Sequence, residues 1–156
     1  IEEMDRSGIS MQVLSCPSEI GRVDPEHAIP LTRAWNDRLS EAVKRYPDRF
    51  AGFACLPWAD PKAAAEELVR AVTELGLKGA LLGGRPSKEA IFLDDPRFDP
   101  VMEAANRLEV PIYIHPGSPT PAVQADYYGR WKSGSQGVCQ CLAGAGIMKP
   151  EFRSCA

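Results

Sequence analysis

Val110-Pro111-Ile112-Tyr113-Ile114-His115-Pro116-Gly117 is an apolar run that ends on an imidazole and is then broken by Pro-Gly. Near-continuous apolarity of this length predicts a strand covered on both faces, the habit of parallel sheets. Three earlier stretches have the same character: Met11-Gln12-Val13-Leu14-Ser15, Phe50-Ala51-Gly52-Phe53-Ala54-Cys55-Leu56 and Leu77-Lys78-Gly79-Ala80-Leu81-Leu82. Helical patterns separate them. Asp24-Pro25, Asp60-Pro61 and Asp99-Pro100 each put a capping carboxylate before a proline at the first helical position, where a missing N–H costs nothing. The predicted helices run over 25–46, with Pro30 inside or breaking the first turns, then 61–75 and 99–109. Ala64, Leu68, Ala71, Val72 and Leu75 make one apolar face of the second, and Gly76 is a natural left-handed terminator.

A helix remnant followed by strict β/α alternation implies a parallel sheet with right-handed crossovers. Functional groups in such folds gather at the C-terminal ends of strands. Those positions here are Ser15 to Pro17, Leu56 to Trp58, Gly83 to Arg85 and His115 to Gly117.

The chain has 156 residues, 44% of them apolar and 25% charged, which suits one globular domain. It is too short for a closed (β/α)8 barrel, which needs about 200 residues at the least. Lys and Arg number 18 against 21 Asp and Glu, spread out rather than clustered, so no nucleic-acid partner is expected. No stretch approaches about 20 uninterrupted apolar residues, and the first residues are acidic, so neither a membrane span nor a signal peptide is expected. Five cysteines in so apolar a chain read as reduced, giving a cytoplasmic expectation. Cys16 and Cys55 lie in apolar runs and read as small core residues, whereas Cys139-Gln140-Cys141 lacks the second pair or histidine that a zinc set needs. Beyond residue 129 glycines multiply and periodicity disappears, so residues 1–129 are expected to be the β/α domain and 130–156 an irregular, poorly ordered tail.

His115 stands where a strand opens into a loop, a place for a metal ligand or proton carrier, or for a buried histidine bonded to a backbone carbonyl. His27, in a first helical turn, reads as a solvated surface residue. Asp94-Asp95 offers a carboxylate pair, but the following Pro96-Arg97-Phe98-Asp99-Pro100 points to turn and helix-start chemistry. Gly83-Gly84-Arg85 follows a strand but lacks phosphate-loop spacing. Tyr127, Tyr128 and Trp131 read equally as pocket walls or as cover for a face. No catalytic residue emerges from these patterns, and Ser15 and Gly83 are expected to contact substrate from their strand-end positions.

Five ordered blocks carry a resemblance: 4–15 (MDRSGISMQVLS), 46–57 (YPDRFAGFACLP), 75–82 (LGLKGALL), 93–100 (LDDPRFDP) and 110–116 (VPIYIHP). Over about residues 4–130 the chain resembles the amidohydrolase-related metal-dependent decarboxylases, the group of aminocarboxymuconate-semialdehyde and dihydroxybenzoate (γ-resorcylate type) decarboxylases. The resemblance implies a (β/α)8 TIM barrel of the metal-dependent hydrolase type, of which about four β/α units are present, truncated at both ends. It implies one divalent ion, zinc or manganese, held by a first-strand Glu-x-His or His-x-His pair, by a histidine at the position of His115, and by a later aspartate, with a further histidine acting in catalysis. Of these only His115 maps here, and Asp94, Asp95 and Asp99 become structural. Members often carry a polar residue where this chain has Gly83.

The implied activity is carboxy-lyase chemistry on an aromatic or muconate-type carboxylic acid, with a small aromatic carboxylate as substrate. Oxygens of the substrate engage the metal, a protonated group delivers a proton to the carbon bearing the carboxylate, and CO2 departs. With one ligand this chain is expected to bind no metal and to be inactive alone. The alternatives are part of a lactone- or amide-hydrolysing relative, or a non-catalytic chain that joins a full-length partner. Open sheet edges predict self-association or a homo-oligomer.

Overall fold

The computed structural model describes residues 1–16, 23–84, 86, 91–116, 121–123 and 125–126. The expected tail at 130–156 lies outside the described residues, as do Pro17, Arg85, Gly117, Tyr127, Tyr128, Trp131 and the cysteines Cys139, Cys141 and Cys155. Two compact units are present, Ile1–Ile114 and His115–Ala156, and each is described by itself.

The first unit alternates helix and strand as the apolar periodicity requires. α1 (Glu2–Arg6) leads to β1 (Gln12–Leu14), α2 (Pro25–Arg45), β2 (Phe50–Gly52), β3 (Ala54–Cys55), α3 (Pro61–Thr73), β4 (Ala80–Gly83), α4 (Asp99–Arg107) and β5 (Ile112–His115), whose last residue opens the second unit. The described part of the second unit adds one short turn, α5 (Pro121–Val123). β1 and β2 pair in parallel, with Gln12 opposite Phe50 and Leu14 opposite Gly52. β3 and β4 pair in parallel, with Ala54 opposite Ala80, and β5 lies on the far side of β4. The described strands do not close into a barrel; they form a two-stranded sheet, β1-β2, and a three-stranded sheet, β3-β4-β5.

Three expectations are corrected. The run 50–56 is two strands, divided at Phe53. Its N–H still donates to Leu14 O (2.9 Å), while the N–H of Ala54 turns to Gly79 O (2.8 Å). The last helix does not start with Asp99 as its cap. Asp95 receives the Arg97 N–H (3.0 Å) and caps a 3₁₀ turn, Pro96–Phe98, that runs straight into α4, so Asp99 is already helical. Burial on both faces holds for β3 and β4 but not for β1 and β5, where Val13, Tyr113 and Ile114 are exposed. Those two strands are the outer ones among the described residues, so a neighbour is missing on one side.

Other elements follow their local chemistry. Asp60 caps α3 by accepting the Ala63 N–H (3.0 Å). Pro30 sits inside α2 without breaking it. Gly76 has φ +75 just past α3, the left-handed turn expected of it. Gly79 is more constrained, since at φ +141 a Cβ would lie 2.2 Å from Pro111 O. The backbone of β5 therefore approaches β4 as closely as it does only because position 79 has no side chain.

The core lies where the helices cover β3 and β4. Leu39 from α2, Ala64, Leu68 and Ala71 from α3, and Val101, Ala104 and Ala105 from α4 pack with Leu56, Trp58, Leu77, Leu82 and Phe98. Small residues at the meeting faces of α3 and α4 let the two helices pack tightly. Each fully buried leucine here contributes about 1.5–3 kcal/mol relative to exposure. No helix among the described residues is long and apolar enough to cross a membrane.

Candidate functional site

Parallel pairing places the C-terminal strand ends at Ser15, Leu56, Gly83 and His115, as the alternation predicts. Only some of these ends are open. Leu56, Pro57 and Trp58 are buried: Trp58 donates its indole N–H to Leu81 O (3.3 Å) and meets Phe98 edge-on, so this corner is packing rather than a binding surface. Ser15 is exposed and borders an open hollow of about 370 Å3 walled by Leu14, Trp35, Arg38, Leu39 and Ala42. Leu14 packs against the core beneath α2, so this hollow lies on the helix side of β1. Gly83 is buried at the end of β4 and is followed by Gly84 at φ +70.

His115 is half-exposed, and its Nδ1 lies 2.9 Å from Pro116 O. A carbonyl can only accept, so Nδ1 carries the proton in this contact and Nε2 of the neutral ring holds the lone pair. The residue is thus bonded to a backbone carbonyl, but it is half-exposed rather than buried. Among the described residues no group of three His, Cys, Asp or Glu side chains could hold a metal ion. A catalytic divalent ion needs about three protein donors. The described residues therefore do not make a metal site by themselves.

The other sequence candidates resolve as structure. His27 is solvent-exposed with Nδ1 3.5 Å from the Glu26 carboxylate. Asp95 bonds the Arg97 backbone and both pairs with and bonds its guanidinium (2.9 Å), which holds its carboxyl down at about 2. It is a turn residue, as the Pro-Arg-Phe context suggested.

Two groupings were not anticipated. Asn36 of α2 is fully buried, donates to Cys55 O (2.9 Å) and Glu67 Oε1 (2.8 Å), and accepts the Cys55 N–H (2.9 Å). Glu67, itself buried in α3, also receives Arg70 (2.8 and 2.9 Å) and Arg33 (3.2 Å), while Arg70 reaches Asp37 (2.7 Å). Glu67 first, then Asp37, pushes the Arg70 guanidinium further up from its ordinary value. The network fixes the end of β3 to two helices. The second grouping is Cys16 and Cys55: the expectation of buried cysteines holds, and in addition their side chains are hydrogen-bonded to each other. Only an amphipathic pattern that tolerates Asn36 and Glu67 on inward-facing positions of their helices hints at the first, and no sequence signal marks the second.

Residues 3–144 match the amidohydrolase family. The chain is 42% identical over 125 residues to a gamma-resorcylate decarboxylase of Rhodococcus jostii, covering 74% of this chain and 38% of that protein. Among solved structures it is similar to a 2,6-dihydroxybenzoate decarboxylase from Rhizobium, with a TM-score of 0.74 and 38% identity over 83% of this chain and 42% of the other. A dihydroxybenzoic acid decarboxylase from Polaromonas sp. JS666, solved with bound manganese and the inhibitor 2-nitroresorcinol, matches equally well, with a TM-score of 0.74 and 38% identity over 83% and 41%. The chain thus spans about 40% of the length of these relatives.

Proposed function

The chain belongs to the amidohydrolase family, and from that premise we propose that it is part of a metal-dependent carboxy-lyase. The reaction is non-oxidative loss of CO2 from an aromatic, dihydroxybenzoate-like acid. The observation that carries the reading is the 42% identity to a gamma-resorcylate decarboxylase over 125 residues. His115 is assigned the role of metal ligand through Nε2, because its Nδ1 proton is engaged by Pro116 O. The described donors do not complete a metal site by themselves. Residues 1–129 form the β/α domain in this proposal, Ser15 and Gly83 border the substrate side, and the 156-residue chain alone is inactive.

Two experiments test this. The purified chain, supplied with manganese or zinc, is expected to release no CO2 from 2,6-dihydroxybenzoate and to retain less than one ion per chain. Stoichiometric metal with turnover would overturn the inactive-alone reading. Residues 4–129 are then grafted into the Rhodococcus jostii protein in place of its matching segment. The chimera is expected to decarboxylate, and His115→Ala in it to lose metal and activity together. A folded, metal-loaded chimera that hydrolyses lactones or amides but releases no CO2 would favour the hydrolase alternative instead.

A further inference from the structure

We propose that two copies of this chain join edge to edge, β5 of each beside β1 of the other, and close one eight-stranded parallel barrel. The first unit supplies four consecutive strand positions. Gly52 lies opposite Leu14 of β1, and its carbonyl also accepts the Lys78 N–H (2.9 Å), so the run 50–55 has β1 on one side and β4 on the other. The Ala80 N–H donates to Pro111 O (3.1 Å), which brings β5 alongside β4. The helix α4 joins these two strands, the crossover that parallel neighbours require. Two edges are left free among the described residues, one at β1 and one at β5. Both are apolar and open. Val13 is exposed on β1, and the consecutive Tyr113 and Ile114 are exposed on β5, so β5 is uncovered on both faces. The helix layer is unpartnered at the β1 edge as well: Trp35 walls the hollow beside Leu14, and Leu31, one turn earlier on α2, is exposed.

Strand direction selects the second copy and its placement. A strand that meets its own copy in an isologous contact runs antiparallel to it. Pairing β1 with β1 would therefore leave both β5 edges open, and their unpaired N–H and C=O groups would recruit further chains. A two-fold axis along the barrel instead sets β5 of one copy parallel to β1 of the other, twice, and no edge remains. A closed (β/α)8 barrel takes about 250 residues, which two chains of 156 residues provide and one does not. Leu14 and Ile112 pack towards the helices. Alternation then puts Val13 and Tyr113 on the opposite face of the sheet, the one that lines the interior of such a barrel.

The inference concerns assembly and does not depend on the decarboxylase reading. It is tested on the full chain carrying Cys139→Ser, Cys141→Ser and Cys155→Ser, in which the remaining Cys16 and Cys55 are buried. Val13→Cys and Tyr113→Cys chains are prepared separately, mixed, allowed to exchange and treated with a short bismaleimide. The mixture is expected to give at least about tenfold more cross-linked dimer than either chain alone, because each seam joins one β1 to one β5 and holds the two thiols at high effective concentration. A chain carrying both substitutions is expected to give covalent dimer and no longer ladder. The unsubstituted chain is expected to sediment at twice its 17.0 kDa mass, a measurement that a folding defect in the variants does not touch. Cross-linking of Val13→Cys with itself would show antiparallel edge pairing, a ladder would show open growth, and a monomer would leave the edges to a different chain. Each of these results would overturn the proposal.

Discussion

β3 and β4 are buried along their whole length, whereas β1 and β5 carry Val13 at 51%, Tyr113 at 49% and Ile114 at 58% exposure, although all four regions are written in the same apolar alphabet. The difference is made by neighbours. β3 and β4 have a strand on each side or a helix layer above them, while β1 and β5 end the described pairing. Phe53 and Tyr113, stacked at 6.0 Å, cover part of the exposed side, while Ile114 stays open among the described residues. An apolar run thus specifies that a segment forms a strand, and the rest of the assembly decides whether the strand is interior.

That contrast can be broken by substitution. Leu68→Ala empties a fully buried position in α3 and is expected to cost about 4 kcal/mol of unfolding free energy, within the range for cavity-forming changes. Val13→Thr on the flank is expected to change it by less than about 0.5 kcal/mol. Urea unfolding of both variants measures the gap; equal costs would mean that the flank is as well packed as the interior. The same flank should govern association. Val13→Lys with Ile114→Lys is expected to raise the monomer fraction in sedimentation without lowering the unfolding midpoint, because charge at an exposed strand opposes edge pairing. An unchanged association state would place the sticky surface elsewhere.

A smaller effect tests how the interior is held. Asn36→Leu removes the partner of both backbone groups of Cys55 and one partner of the Glu67 carboxylate. Leaving such buried groups unpaired is expected to cost about 3 kcal/mol. Hydrogen exchange should show the Cys55 amide opening selectively faster. If the amide keeps its protection while global stability falls, the network supports the helices rather than β3.

These residues also mark where the sequence stops being informative. The β/α alternation, the Asp60 cap, the Gly76 turn and the strand-end position of His115 depend on near neighbours in the chain, so periodicity and capping chemistry reveal them. The division at Phe53 depends on where pairing with each neighbouring strand begins and ends, and residues 50–56 look the same either way. Asn36 and Glu67 are 31 positions apart, and polar residues on a helix read as solvent-facing until a partner is known. For the site, the strand-end place of His115 was legible, but not the contact of its Nδ1 with Pro116 O.

The smallest expected effect lies at the exposed turn before α4, where the interplay is of charge rather than of burial. The Asp95 carboxyl is lowered from 3.8 to about 2, first by the Arg97 side chain and then by the Arg97 backbone N–H. Because the folded-state value is below the unfolded one, the contribution is complete above pH 3.8 and is lost as the pH falls through about 2. Its size is modest, since Asp95 and Arg97 face solvent and salt screens them. Asp95→Asn keeps an oxygen for the Arg97 N–H but removes the charge. Unfolding midpoints of the two proteins are therefore expected to differ most at pH 5 and to converge towards pH 2, and to converge at higher pH as salt is added. A gap that stays constant from pH 5 to pH 2 would show that the carboxylate serves as a neutral cap. The ion pair with Arg97 would then add nothing to the start of α4.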